Sequence, residues 1–183
     1  MLAGVVDRMR FMDSLMTDSR LLLYMILKEF GGINLNDFDD RLTLQKRIYL
    51  LQRFGLDLDY RYNWYVRGPY CPQLTEDAYR AQSQTSDLRI QSNSFDLTEE
   101  TKSVIVSYKQ FEQQLHGPDL PLLLELSASI HYLLHVGFLP GGKSKENIQQ
   151  ALRDRGKQFS DDQFEKAWTA LNSIGLTHRR ALA

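Results

Sequence analysis

The spacing of apolar residues along the chain predicts a protein built mainly from helices. Leucine, isoleucine and aromatic residues recur every three or four positions over most of the sequence, as on the buried face of an amphipathic helix. The predicted helices cover residues 18–30, 42–54, 73–82, 98–115, 122–136, 145–155 and 161–174. Ser144 and Ser160 stand where N-caps belong, and Ser160 with Gln163 three positions later spells a capping box.

Residues 42–74 depart from this pattern and predict a helix, a strand and a turn in succession. Gly55 is expected to end the helix, because glycine takes the left-handed cap conformation without steric cost. Residues 60–66 place aromatic or β-branched side chains at nearly every second position, which is typical of a half-buried strand. A turn is predicted over residues 67–72, since its two prolines fix φ and Gly68 permits unusual backbone angles.

The remaining segments complete the predicted fold class. Residues 34–40 predict a polar loop and residues 83–93 an irregular loop or weak strand. A final strand is expected at residues 177–182. We therefore expect an α+β fold, mainly helical, with a small antiparallel sheet. The expected organisation is a tail or frayed helix over residues 1–16, a core over 17–120, and a helical, winged-helix-like part of the same domain over 121–183.

Composition narrows the classes of protein to consider. The chain has 183 residues, of which 43% are hydrophobic, enough for one domain with a substantial core. Its 22 basic and 23 acidic residues give a net charge of -1, so no bulk attraction to nucleic acid is expected. Cys71 is the only cysteine, which excludes an intrachain disulfide and favours a reducing compartment. The longest apolar run, residues 21–27, is far below the roughly 18–20 residues that span a bilayer, so we expect a cytoplasmic protein without a membrane segment.

One segment matches a phosphate-binding motif. Residues 137–144 read GFLPGGKS, the pattern in which backbone amides cradle phosphates, a lysine neutralises them and a hydroxyl holds magnesium. The nucleotide-binding interpretation would assign these roles to Gly142, Lys143 and Ser144. A phosphate-binding loop must follow a buried strand, however, whereas residues 122–136 have helical periodicity. We therefore prefer a Gly/Pro loop followed by a serine helix cap, and keep nucleotide binding as the lesser alternative.

Two other features invite a chemical interpretation. His131 and His135 lie four residues apart, so both imidazoles fall on one face of a helix. Further ligands are not evident in the sequence, and Tyr132 stands where a zinc-protease motif needs glutamate. Cys71 is interpreted as a small structural residue. We therefore predict no catalytic residue, no metal site and no cofactor.

The stretch around residues 42–74 resembles a known family. It reads Leu42-x-Leu44-Gln45-Lys46-x-x-Tyr49-Leu50, then a glycine, then Tyr65-x-x-Gly68-Pro69-Tyr70-x-Pro72-x-Leu74. This is similar to the "KLQKLLY" helix and "YGPxxP" turn of the Panacea domain family, which includes SocA-type antitoxins and YwgA-like proteins. Further similarity lies at residues 124–130 and 159–176, so the resemblance spans about residues 21–176. Thr43 stands where the family usually has lysine, and Arg67 where an aromatic or other residue precedes Gly-Pro.

The resemblance implies a non-enzymatic protein-interaction module. Several relatives are antitoxins that neutralise a toxin encoded nearby, and some hand the bound toxin to a protease as adaptors. The expected partner is therefore a protein, a cognate toxin, and the oligomeric state stays open, with a homodimer among the alternatives. By match to the motif, the expected partner-binding residues are Gln45, Lys46, Tyr49, Tyr65, Arg67, Gly68, Pro69 and Tyr70.

The alternative is a DNA-binding winged-helix transcriptional regulator. The basic residues that could contact DNA phosphates would be Lys143, Lys145, Arg153, Arg155, Lys157, Arg179 and Arg180. From Pro121 onward the chain has eight basic and six acidic residues, which is a small bias for a DNA-binding segment. The candidate recognition helix, residues 161–174, begins with two aspartates and contains Glu165. Those carboxylates would face phosphates unfavourably, so we rank this alternative second.

Overall fold

The computed structural model describes residues 19–56, 58–137 and 139–177 of the chain. The elements in chain order are α1 (19–28), α2 (Phe38–Arg53), β1 (Asn63–Tyr65), β2 (Gly68–Tyr70), α3 (Pro72–Ser83), α4 (Thr85–Ser92), α5 (Glu99–Gln114), α6 (Leu120–His135), α7 (Lys145–Asp154) and α8 (Asp161–Ser173). The predicted fold class is confirmed: the described residues form a mainly helical α+β fold with a small antiparallel sheet.

Helix α6 lies at the centre of the molecule. Residues 123–131 are all buried, so this helix is enclosed on every side rather than along one stripe. It packs against α2, α7, α8 and the strand β2. The main hydrophobic core gathers leucines of α6 with residues such as Ile48 of α2, Phe111 of α5 and Phe164 of α8. The segment is apolar enough for this position, because only Glu125, two serines and His131 interrupt its buried run.

Most helix boundaries follow from local chemistry, as the sequence predicted. The Ser144 and Ser160 side chains accept hydrogen bonds from the amides of Asn147 and Gln163, which confirms both N-caps. Ser160 and Gln163 form the predicted capping box. The prediction of a polar loop over residues 34–40 was wrong at its end, since α2 already begins at Phe38. A capping box between Asp37 and Asp40 satisfies the first amides of α2 and sets this earlier start.

The prediction for residues 60–72 was wrong in detail. Only residues 63–65 form β1, and residues 68–70, expected to belong to a turn, form the partner strand β2. Asn63 pairs with Tyr70 and Tyr65 with Gly68, which leaves Val66 and Arg67 as the tip of a hairpin. Gly68 has a φ of +77°, as in hairpins where a turn is followed by a glycine in the left-handed region.

Residues 83–93 were also wrongly predicted, since residues 85–92 form the helix α4 rather than a loop or weak strand. The segment is polar because α4 lies at the surface, with Leu88 and Ser92 as its buried residues. Leu88 joins Leu21, Tyr24 and Ala81 in a second, smaller apolar cluster. One buried leucine is too weak a periodic signal to distinguish a short surface helix from a loop.

Two predicted segments lie wholly or mostly outside the described residues. The tail at residues 1–16 lies outside the described part, as does the final strand predicted at 177–182 except for Thr177, which lies in a turn. The winged-helix interpretation of the C-terminal part therefore stays a prediction. Within the described ranges, none of the helices combines the length and apolarity that crossing a bilayer requires.

Candidate protein-interaction site

Helix α2 holds the hairpin through main-chain atoms. The Gln45 amide pairs with both backbone groups of Cys71: Nε2 donates to the carbonyl over 2.9 Å, and Oε1 accepts from the amide over 3.0 Å. Lys46 Nζ donates to the Pro69 carbonyl over 2.6 Å. Gln45 and Lys46 are both buried. Their side chains satisfy backbone groups of Pro69 in β2 and of Cys71 directly after it, as a neighbouring strand would in a larger sheet. The hairpin is therefore fixed in place by its backbone.

A buried ion pair fastens the other side of the hairpin. The Glu125 carboxylate on α6 lies 2.5 Å from Lys157 Nζ, and both side chains are almost fully buried. Lys157 Nζ also donates to the Val66 carbonyl at the hairpin tip over 3.3 Å. Arg67 Nη1 reaches the second oxygen of Glu125 over 3.5 Å from the exposed side. Burial lowers the pKa of Lys157, with the adjacent Glu125 opposing the effect, and burial lowers the pKa of Lys46 to about 7.

Gly68 lets the hairpin lie directly on α6. A Cβ added at Gly68 would lie 2.2 Å from the Oγ atom of Ser129, closer than any real contact allows. The positive φ of Gly68 is a second reason why a side chain is unfavourable there. Ser129 Oγ is buried and has no hydrogen-bond partner among the residues that the structure describes, so the contact is one of close packing. The glycine of the Gly-Pro motif therefore has a structural role.

The outer face of the hairpin and the helices beside it form an exposed apolar groove of about 430 Å³. We call it the hairpin groove. Four of the large apolar or aromatic side chains that line it have exposed fractions between 46% and 86%. They are Phe38 of α2, Tyr65 and Val66 of the hairpin, and Tyr79 of α3. The Tyr65 ring is braced edge-on against Tyr70, with 5.2 Å between centroids, and Arg67 lies over the Phe38 ring at 5.5 Å.

The structure separates the eight predicted partner-binding residues into two groups. The buried group consists of Gln45, Lys46, Tyr49, Gly68 and Pro69. The remaining three, Tyr65, Arg67 and Tyr70, reach the surface at the hairpin groove, and the Arg67 side chain is 58% exposed. The buried group positions the hairpin from beneath, whereas the second group has side-chain surface for a partner.

Tyr49 and the two histidines form a buried polar contact inside the core. Tyr49 Oη and His131 Nδ1 are 2.9 Å apart, and the His131 ring stacks on His135 with 4.4 Å between centroids. Burial, with a smaller effect of His135, lowers the pKa of His131 to about 3, so its imidazole is neutral at physiological pH. His135 Nε2 lies 2.9 Å from the Leu176 carbonyl. Within the described residues no cluster of three or more His, Cys, Asp and Glu could hold a metal ion.

The segment that matches the phosphate-binding motif connects two helices. It follows α6 rather than a strand, and Lys143 Nζ donates to the Leu134 carbonyl near the end of that helix over 2.6 Å. Ser144 caps α7. Gly142 has a φ of +94°, and its carbonyl accepts from the Asn147 side chain over 2.5 Å. Both Lys143 and Ser144 are thus occupied in joining α6 to α7.

The basic residues considered for DNA binding are largely engaged within the molecule. Lys157 is buried against Glu125, and Lys145 pairs with Glu165 of α8 over 2.7 Å. Arg153 pairs with Asp161 at the start of α8. These contacts neutralise much of the positive charge beside the candidate recognition helix. Arg179 and Arg180 lie outside the described residues.

Sequence reasoning missed several residues of the site. Phe38 and Tyr79 lie on helices flanking the hairpin, and their side chains join Val66 only in three dimensions. Two local signals were available. Val66 is an apolar residue in a short, otherwise charged tip, and Glu125 is a carboxylate within an apolar helical run, which indicates a buried partner.

Comparison of the chain with protein-family models, curated proteins and solved structures finds no match. The resemblance to the Panacea domain family is therefore carried by the motif residues alone, and what it implies for function enters as a proposal.

The packing of Gly68 on Ser129 predicts a large effect of one methyl group. Gly68→Ala should lower the free energy of unfolding by about 2–5 kcal/mol, because it combines overpacking with a strained φ. Adding Ser129→Ala to this variant should recover the part of the lost stability that is due to overpacking, since it removes the Oγ that the new Cβ would meet. The measurement is urea unfolding followed by circular dichroism.

Gly156→Ala is the matched control for backbone strain. Gly156 has a φ of +75°, close to that of Gly68, and a Cβ there would meet nothing within 4 Å. Gly156→Ala should lower the free energy of unfolding by only about 1–2 kcal/mol. Equal losses for Gly68→Ala and Gly156→Ala, or no recovery with Ser129→Ala, would contradict the close approach of the hairpin to α6.

The buried Lys46 predicts a dependence of stability on pH. Its pKa is about 7 in the folded protein and near 10.5 in the unfolded chain, so the unfolded chain binds more protons between these values. The free energy of unfolding should therefore rise with pH above about 7, by up to about 1.4 kcal/mol per pH unit from this lysine. Urea unfolding between about pH 7 and 9 measures the slope, and this range stays below tyrosine ionisation in the unfolded chain.

Lys46→Met is the comparison for this pH series. It keeps an apolar chain of similar length and should show a smaller slope of stability against pH, because the titrating group of Lys46 is gone. A slope should remain, since the lowered pKa of Lys157 contributes in the same direction. Identical slopes in the two proteins would mean that Lys46 does not titrate in this range.

Proposed function

We propose that this protein is a non-enzymatic, antitoxin-like interaction module that binds and neutralises a toxin through the hairpin groove. The observation that carries the proposal is the gathering of four large exposed apolar side chains at one rigidly held hairpin. Single exposed apolar residues are ordinary on a protein surface, whereas a contiguous group lining a groove marks an interaction site. The resemblance to the Panacea domain family supports the same kind of partner.

The composition of the hairpin groove suits a protein partner. Phe38, Tyr65 and Tyr79 are aromatic and Arg67 is basic, and these residue types are enriched in protein interfaces. They also dominate the small set of residues that supply most binding energy. Tyr65 is braced against Tyr70 and Arg67 against Phe38, so little side-chain freedom remains to be lost on binding.

The rigidity of the hairpin supports a binding role over a catalytic one. The buried polar groups that hold it come from neighbouring segments. Gln45 and Lys46 donate to main-chain carbonyls, and Lys157 donates to the Glu125 carboxylate. These groups hold the shape of the groove, and the hairpin side chains that line it are those of two tyrosines, Val66 and Arg67. Binding at the groove would neutralise the toxin by covering the surface with which the toxin acts. Delivery of the bound toxin to a protease is a second route to the same outcome.

Capture of the partner from the native host is the experiment that tests this function. Tagged protein should retain one stoichiometric small protein, identified by mass spectrometry, that is toxic when expressed alone and harmless when the two are co-expressed. Nucleic acid in place of a protein partner would favour the DNA-binding alternative, which predicts duplex binding with a clear dependence on salt.

Val66→Asp tests whether the hairpin groove is the contact surface. Val66 is 86% exposed, so the free energy of unfolding should change by less than about 0.5 kcal/mol. Burying the introduced carboxylate against an apolar partner surface should nevertheless abolish co-purification and protection from the toxin, because the charge loses its hydration. Ile90→Asp is the matched control, because Ile90 is 67% exposed on α4 and does not line the groove. A Val66→Asp protein that still captures and neutralises the partner would place the contact elsewhere.

A further inference from the structure

The positive charge of Arg67 is only weakly compensated within the molecule. The carboxylate of Glu125 is already paired with Lys157 at 2.5 Å, whereas Arg67 reaches it over 3.5 Å, at the limit of a hydrogen bond. One carboxylate is therefore shared by two cations. Arg67 is the more exposed of the two, with 58% of its side chain exposed against 4% for Lys157.

The hairpin groove adds to this imbalance. Among the described residues that line it, there are two arginines, Arg41 and Arg67, and no carboxylate. Arg41 Nη1 donates to the Leu35 carbonyl over 3.0 Å, which uses part of its hydrogen-bonding capacity and leaves its charge in place. Three carboxylates, those of Asp39, Asp119 and Glu125, line the neighbouring cavity of about 230 Å³, which Arg67 and Phe38 also line, so the carboxylates near Arg67 lie outside the groove. The surface of the groove thus combines apolar area with positive charge.

A guanidinium in this position is suited to a carboxylate. It presents several N–H donors in a plane and binds carboxylates with two parallel hydrogen bonds. Within the described part of the chain, only Nη1 of Arg67 has a hydrogen bond. The Phe38 ring beneath it limits the directions that the guanidinium can take. Apolar walls at Tyr65 and Val66 would exclude water from such a pair and strengthen it.

Two other occupants fit the charges less well. A nucleic acid strand carries a phosphate about every 3.4 Å, so phosphates next to the one at Arg67 would meet the carboxylates of Asp39 and Asp119 in the neighbouring cavity. A second copy of the chain, docked groove to groove about a twofold axis, would bring the two arginines of one copy against the same two of the other. A single carboxylate on an otherwise apolar segment avoids both conflicts.

We propose that the hairpin groove takes a peptide segment of the protein partner in which one aspartate or glutamate stands among large apolar side chains, with its carboxylate paired to Arg67. This inference rests on the proposed function, in that the occupant is a protein, and adds the chemistry by which it is recognised.

Peptide display on the full chain tests the inference without knowledge of the partner. A library of random short peptides is selected on the wild-type protein, and the enriched sequences should carry an acidic residue among aromatic or aliphatic ones. For an enriched peptide, Arg67→Met should weaken binding about tenfold or more, as expected for a charge-assisted hydrogen bond, and Arg67→Glu should weaken it further. Arg67→Met keeps the apolar stem, so it serves even where the reversed charge disturbs Glu125.

A double-mutant cycle assigns the carboxylate to Arg67. Replacing the acidic residue of the peptide by its amide should cost as much as Arg67→Met, and the two changes together should cost little more than either alone. Additive losses, enriched peptides with no acidic preference, or failure to enrich any peptide would overturn the inference. Single-stranded nucleic acid binding or self-association that is lost in Arg67→Met would overturn it as well.

Val66→Asp separates this inference from the proposed function. One outcome is that peptide binding is lost in Val66→Asp but unchanged in Arg67→Met. The groove would then still be a protein-binding surface, and the pairing of a carboxylate with Arg67 would be contradicted. Peptide and partner binding that both survive Val66→Asp would contradict the proposed function itself.

Discussion

The buried carboxylate of Glu125 is the constraint on which the arrangement of this molecule depends. It stands in the most enclosed helix, where an unpaired charge would cost several kcal/mol, so a cation must come to it. Lys157, from the segment between α7 and α8, supplies that cation and also holds the main chain of the hairpin tip. One buried pair thus ties the C-terminal helices, the central helix and the hairpin together. Replacing either partner alone would strand the other charge in the core.

Most of the helical part of this fold could be predicted from the sequence because its signals are local, with α4 as the exception. The serine caps of α7 and α8, the apolar periodicity of α6 and the glycine stop after α2 each depend on residues within a few positions. The hairpin could not be placed in the same way. Its strands are three residues long, and side chains of α2 that hold it come from more than twenty positions away.

The candidate site shows the same division between local and distant causes. Gln45 and Lys46 are polar residues on a helix, and the motif suggested a surface for them; their partners are main-chain groups more than twenty positions away. Long polar side chains can be buried when such partners offset part of the cost of desolvation, and one sequence does not reveal those partners. The exposed members of the site, Tyr65 and Arg67, were anticipated, whereas Phe38 and Tyr79 join them only through packing.

The hydrogen bonds that anchor the hairpin end on main-chain atoms: the carbonyls of Val66 and Pro69, and both backbone groups of Cys71. Such bonds do not depend on which side chain a residue carries. The outward side chain of Val66 can therefore be exchanged while the loop geometry is kept, much as the tips of antibody loops vary on a constant framework. Under the proposed function, binding preference can accordingly diversify at the hairpin tip without renewed selection for folding.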